Sequence, residues 1–284
     1  MRIMPDCLQL QLIKLLPKIM LTRGLGRIAG MRLPQFLLNF AIARFVHHYR
    51  IDMRQVTTKN FPTFNDFFAR PIAPESHPVA LAQDIVVSPV DGIVGAFGHI
   101  QDETLFQAKS IPYSLAGLVI NPIYQRLFAD GDYVTIYLSP RHYHRIHSPL
   151  DANVAELFYI PGMLYPVNRL AVENIPGLFT LNERLISLLS HPILGKIALI
   201  QVGATVVGKI KVVYDRIESQ HLNRTVHRQY QGVTIAKGKE IARFEIGSTV
   251  IMLFEKNRIE WVNAVTGNEI RWGEAIATVK KSHT

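Results

Sequence analysis

The chain has 284 residues, 48% of them hydrophobic and 19% charged, a composition that excludes intrinsic disorder and supports a sizeable core in one large domain or two small ones. Cys7 is the only cysteine, which excludes an internal disulfide framework and a thiolate metal cluster. The net charge of +9 favours an anionic partner, either nucleic acid or a membrane surface rich in acidic lipid.

That charge is concentrated at the N-terminus, where residues 1–60 carry ten Lys and Arg against Asp6 and Asp52 alone. The same stretch is amphipathic. Leu8, Leu12, Leu15 and Ile19 recur at helical spacing, and Phe36, Leu37, Phe40 and Ala41 do so again after Pro34. Lys14, Pro17, Lys18, Arg23 and Arg44 interrupt every apolar run before it reaches the ~20 residues a bilayer span needs. No small-residue cleavage site follows an uninterrupted apolar core, so a signal peptide fits poorly. Basic helices with a Leu, Met and Phe face suit the lipid headgroup layer, and they equally suit packing on the protein's own core. Different faces can do both.

From about residue 85 the pattern changes to short β segments punctuated by Gly, Pro and Asp. "DIVVSPVDGIVGAFG" is predicted as strand, turn, strand, with Asp91-Gly92 in the connection. "GDYVTIYLSP" alternates Val134, Ile136 and Leu138 against Thr135 and Tyr137, a half-buried strand. Further strands are predicted at 152–160, 198–214 and 241–255, with helical character around 181–190. The expected class is α+β. A basic amphipathic helical region over 1–80 precedes a mostly antiparallel β domain over 81–284, with hairpins like those of barrel-sandwich carrier domains.

The strand predicted at 241–255 is broken by Gly247-Ser248-Thr249. A glycine inside a strand marks a bulge, a bend or a close approach to the backbone, and here a hydroxyl nucleophile follows it directly. The plainer expectation is a bulge with Ser248 bonded to a neighbouring carbonyl.

"RHYHRIHSP" places His142, His144 and His147 in one turn after a strand, and histidine is the side chain best suited to moving protons near neutral pH. Surface histidines without chemistry are one alternative. Another is zinc held by His144, His147 and Asp91, and Asp91-Gly92 is also a common turn pair with no further role. An Asp, a His and a Ser together are the set that activates a hydroxyl. Ser248 does not sit in a Gly-X-Ser-X-Gly elbow, which disfavours an α/β-hydrolase.

Several segments in order give a more specific likeness: "FNDFFAR" at 64–70, "SPVDG" at 88–92, "YHRIHSP" at 143–149, "GMLYPVN" at 162–168, "LNERL" at 181–185, "VGATVVGKI" at 202–210 and "KGKEIARFEIGSTVIMLF" at 237–254. On these segments the chain resembles the phosphatidylserine decarboxylases, which carry Leu-Gly-Ser-Thr near the C-terminus and cut themselves between its glycine and serine. Ile246-Gly247-Ser248-Thr249 differs by one apolar exchange. The likeness covers roughly residues 60 to 284, and the N-terminal helices add little to it.

The resemblance implies that Asp91 and His147 activate Ser248, whose oxygen attacks the Gly247 carbonyl. Elimination then releases residues 1–247 and leaves a pyruvoyl group at the head of residues 248–284. It further implies a Schiff base between that covalent cofactor and the substrate amine, loss of CO₂, return of a proton from His144, and release of phosphatidylethanolamine. The implied partners are phosphatidylserine in an anionic membrane and the two chains of one precursor; a homodimer is compatible with this, and nucleic acid finds no motif. The implied place is the cytoplasmic face of the cell membrane, as a peripheral protein. Phe64, Phe67, Phe68 and Arg70 are candidates for a lipid path, although three phenylalanines near a domain junction are more often core. Two other functions stay open. One is a zinc hydrolase using His144, His147 and Asp91. The other is a non-catalytic carrier-like module, although no lysine stands between methionines at a hairpin tip.

Overall fold

The computed structural model describes residues 18–107, 111–205, 209–219, 223–245 and 248–280. Cys7, the apolar set Leu8, Leu12 and Leu15, and the glycine of the expected scissile bond, Gly247, lie outside the described residues.

Two helices open the described chain, α1 (Lys18–Ala29) and α2 (Gln35–Tyr49). Pro34 sets the start of α2, because its fixed φ suits a helix N-terminus where no amide donor is needed. Arg50, left-handed at φ 53°, closes the helix by donating its N–H to Val46 O. Leu38 and Ile42 on one face of α2 pack with Phe61 and Phe67 in a small separate core. Phe36, Leu37 and Phe40 stay exposed. The expected packing on the protein's own core therefore holds for one face of α2, and another face is left exposed. Helix α3 (Phe64–Phe68) is capped by Thr63, whose hydroxyl accepts from Asp66 N. Phe67 and Phe68 are completely buried and Phe64 packs beside them, so these rings are core.

The strands are β1 (Ile85–Val87), β2 (Gly92–His99), β3 (Thr104–Phe106), β4 (Pro112–Ser114), β5 (Asp132–Leu138), β6 (Arg145–His147), β7 (Ala152–Ile160), β8 (Arg184–His191), β9 (Gly195–Val202), β10 (Ile210–Val212), β11 (Val226–Gln229), β12 (Thr234–Ile235), β13 (Glu240–Phe244), β14 (Ser248–Phe254), β15 (Ile259–Trp261), β16 (Glu269–Ile270) and β17 (Ala275–Val279). Short helices α4 (Leu115–Leu118), α5 (Pro122–Phe128), α6 (Arg169–Val172) and α7 (Leu178–Leu181) fill the connections. The main sheet runs β11-β7-β8-β9-β14-β5-β2-β16, with β12 also on β7. Smaller sheets are β10-β13-β6, β1-β17-β15 and β3-β4. All the strand pairs are antiparallel, and no sheet among the described residues closes into a barrel.

Three expectations need correction. Residues 181–190 are not helical beyond the last residue of α7; they form most of β8, whose first six residues are buried. A continuous apolar run has no period to tell a buried strand from a buried helix, and two-sided burial in the sheet decides it. The stretch 198–214 divides into β9 and β10 on different sheets, and 241–255 divides into β13 and β14. Strand β5 is covered on both faces, with Thr135 only 3% exposed.

The second division positions the site. β13 belongs to the small sheet with β6, whereas β14 lies between β5 and β9 in the main sheet with all seven residues buried. Ser248 is the first residue after the crossing, opposite Leu138. Thr249, Tyr137 and Ile93 lie on one rung, so Ser248 and Asp91 stand at the same end of the sheet, two strands and about 10 Å apart.

Gly92 keeps that end tight. A Cβ there would lie 2.6 Å from Ile136 Cγ2 and 2.7 Å from Tyr137 O. Gly92→Ala is expected to cost about 1–3 kcal/mol by overpacking, read as a thermal midpoint several degrees lower; an unchanged midpoint would show that the two strands are free to separate.

Candidate active site

Ser248 is fully buried, and its hydroxyl has no hydrogen-bond partner among the described residues. The expected bond from Ser248 to a neighbouring carbonyl is thus not found among the described residues. Thr249 Oγ1 is equally buried and unpartnered. Leaving a buried hydroxyl unpaired costs about 1–3 kcal/mol, and such groups concentrate where chemistry needs them.

The histidine turn connects β5 to β6 and is not at the surface: His144 is 0% and His147 7% exposed. Phe244 N donates to His144 O at 3.0 Å, which ties this turn to the residue four positions before Ser248. Phe68 lies against the His144 ring at 4.2 Å. The buried Arg70 donates to the carbonyls of Arg141 and His142 at 3.1 and 3.2 Å, so "FNDFFAR" supports the turn from behind. Burial lowers the Arg70 pKa to about 10, which leaves it charged at neutral pH.

Carbonyl partners fix the tautomers. His144 Nδ1 donates to His142 O at 2.8 Å, so its Nε2 carries a lone pair, and that atom is buried and unpartnered. His147 Nδ1 donates to Gly238 O at 2.7 Å, and its Nε2 accepts from the Tyr143 hydroxyl at 3.1 Å. Burial, with the Arg70 charge, holds His144 well below the usual imidazole range. Burial also lowers His147, partly offset by the Gly238 carbonyl and the charges of Glu240 and Asp91. Both rings are therefore neutral bases at physiological pH. Burial raises the Tyr143 phenol, so it keeps its proton.

Asp91 is not bonded to His147. Its Oδ1 accepts from Trp272 N at 2.9 Å and its Oδ2 from His77 Nε2 at 3.2 Å. The Trp272 ring is nearly parallel to two imidazoles, His147 at 3.9 Å and His77 at 5.5 Å. The structure thus brings Asp91 and His147 into one layer through Trp272. His77, Tyr143 and Trp272 were missed in the sequence. Trp272 is one of only two tryptophans, a weak signal; for His77, in "PESHPVA", there was none.

Among the described residues no group of three His, Cys, Asp or Glu is placed to hold a metal ion. A ketone formed at residue 248 itself fits the site: the residue is fully buried, strand pairing holds its backbone, and His144 offers a bare buried nitrogen from the adjoining turn. A cleft of about 800 Å³ opens on the side of Glu245, lined by Arg23, Arg27, Asn65, Lys209 and Lys211. Glu245 accepts from Asn65 at 3.2 Å and pairs with Lys211 at 2.6 Å. It stands three positions before Ser248, a reach of at most about 11 Å.

A profile of the phosphatidylserine decarboxylase family matches residues 64–278. Phosphatidylserine decarboxylase proenzymes are similar over nearly the whole chain. That of Anaeromyxobacter sp. is 40% identical over 280 residues, 96% of this chain and 99% of its own. That of Brevibacillus brevis is 38% identical over 275 residues, 95% and 97% of the two chains. That of Myxococcus xanthus is 37% identical over 281 residues, 97% and 100%. These matches take in part of the N-terminal region that the motifs alone do not reach.

The depressed histidines make stability depend on pH. His142, lowered to about 4 by burial and by Arg141, joins His144 and His147 in binding fewer protons folded than unfolded. Their stabilising contribution is complete above about 6.5 and is lost as pH falls toward 4. The urea midpoint is expected to be lower at pH 5 than at pH 7.5, with a smaller difference in His142→Asn; equal pH sensitivity in that variant would contradict a buried neutral His142.

Proposed function

The chain belongs to the phosphatidylserine decarboxylase family, and we propose that it is a carboxy-lyase that converts phosphatidylserine to phosphatidylethanolamine and CO₂ with a pyruvoyl group made from its own Ser248. The observation that carries this is the Ser248 hydroxyl, buried without a partner at the crossing between two sheets. The proenzyme names of the relatives agree with a processed form. The family does not favour the zinc-hydrolase or carrier alternatives, and the carrier-like hairpins become scaffold.

In this reading His147, neutral and polarised by the nearby Asp91 charge, takes the Ser248 proton on Nε2, the atom that the Tyr143 hydroxyl otherwise caps, as Oγ adds to the Gly247 carbonyl carbon. The Gly247–Ser248 C–N bond breaks, and an ester through Oγ replaces the amide. Loss of the Ser248 Cα proton with expulsion of the Gly247 carboxylate separates residues 1–247 from 248–284. The enamine left at residue 248 takes up water and releases ammonia to become the ketone.

The pyruvoyl ketone supplies the electron sink that decarboxylation needs and that no side chain offers. His144 moves the proton. Its bare Nε2 accepts one from the substrate ammonium, freeing the amine to react, and returns it to Cα after CO₂ leaves. The donor role assigned to His144 by resemblance therefore begins as a base.

The N-terminal helices put this chemistry at a lipid surface, the cytoplasmic face of the membrane in our reading. No helix among the described residues is long and apolar enough to cross a membrane. Along α1 and α2, Met20, Phe36 and Phe40 are 75%, 72% and 68% exposed, and Arg23, Arg27 and Arg32 lie in the same stretch. Exposed apolar rings among cations suit shallow insertion into an acidic interface. The basic cleft at Glu245 then offers an anionic headgroup a route toward residue 248.

Ser248→Ala is expected to remain a single full-length chain without decarboxylase activity; two chains from that variant would refute the serine's role. Phe36→Ser with Phe40→Ser is expected to reduce sedimentation with phosphatidylserine-containing vesicles at least tenfold while self-cleavage proceeds; unchanged sedimentation would remove these helices from the membrane contact.

A further inference from the structure

His77 lies in the segment that joins the helical region to β1 and is 4% exposed. Its Nε2 faces the Asp91 carboxylate at 3.2 Å, and a carboxylate at neutral pH only accepts, so Nε2 carries the proton and donates. Asp91 has one other donor, the Trp272 backbone N–H on its second oxygen. The His77 ring also lies parallel to Trp272, within 5° and with 5.5 Å between centroids, while its side-chain hydrogen bond goes to the carboxylate.

We infer that His77 is a positioning residue for self-cleavage, fixing the Asp91 carboxylate in the layer that holds His147. This rests on the reading that Asp91 and His147 serve Ser248. The bonding pattern explains why a second histidine is needed. The His147 Nδ1 hydrogen is taken by Gly238 O, so the carboxylate does not orient the ring directly. Asp91 acts on His147 through space, favouring the imidazolium that forms as the serine loses its proton, and that action depends on where the carboxylate is held. Without the Nε2–H, Oδ2 keeps no side-chain donor, and the half-buried carboxylate turns toward solvent. Tyr143 donates to His147 Nε2 and so does not take over this task.

The test compares His77→Gln with His77→Met, two side chains of similar length that differ in having an N–H. Processing is followed by intact mass after synthesis of the precursor, and folding by thermal midpoints of the same substitutions in the Ser248→Ala background. Self-cleavage is expected to slow at least tenfold in His77→Met and to stay within about threefold of the parent in His77→Gln, with matching midpoints. Met cleaving as fast as Gln, or both slowing equally, would overturn the inference. Asp91→Asn is the control. If it cleaves at the parent rate, Asp91 has no part in the reaction; if it is blocked while His77→Met is not, the error lies in His77 alone.

Discussion

A hydroxyl buried at the head of the most protected strand, with nothing described to bond it, is the constraint around which the rest of the molecule is arranged. Strand β14 is paired on both sides and its seven residues are buried, so Ser248 cannot be hydrated or turned aside without opening the main sheet. The chain reaches it from a different sheet, where β13 pairs with β6, the strand that carries His147. The sequence puts a glycine directly before Ser248, the residue type with the widest backbone freedom. Rigid pairing after the serine and a glycine before it are what an attack on the preceding carbonyl requires.

The two histidines of the adjoining turn are chemically alike and are separated by their surroundings. Each gives its Nδ1 hydrogen to a backbone carbonyl, and burial keeps each neutral. His144 is left with a bare nitrogen, whereas Tyr143 covers the nitrogen of His147 and Asp91 lies in the same layer. In the proposed mechanism, the ring that receives a proton once benefits from a carboxylate close by, and the ring that shuttles a proton in each turnover benefits from an uncovered nitrogen in a dry place. Arg70 and Phe68 brace the turn from the helical region, so that region is mechanically joined to the turn that carries the histidines.

Much of this was legible in the residues, and the failures have physical causes. The limits 152–160 coincide with β7 because that segment lies between clear turn signals. Residues 184–191 misled because a strand buried on both faces shows no alternation. Ser248, His144 and His147 stood out through local spacing, which sequence displays directly. The true partners of Asp91 did not. Its contact with Trp272 closes a loop of 181 positions and that with His77 depends on a segment without regular structure, so no local pattern announces either. The division of one expected strand at Gly247-Ser248 was anticipated only as a break; that its halves belong to different sheets is a property of topology.

The conversion of residue 248 is tested most directly by intact-mass measurement of the purified, active chain. Two species are expected, residues 1–247 with a free carboxylate and residues 248–284 beginning with a ketone in place of the serine amine and hydroxyl. A fully active preparation consisting of one unbroken chain with an unmodified serine at 248 would contradict it.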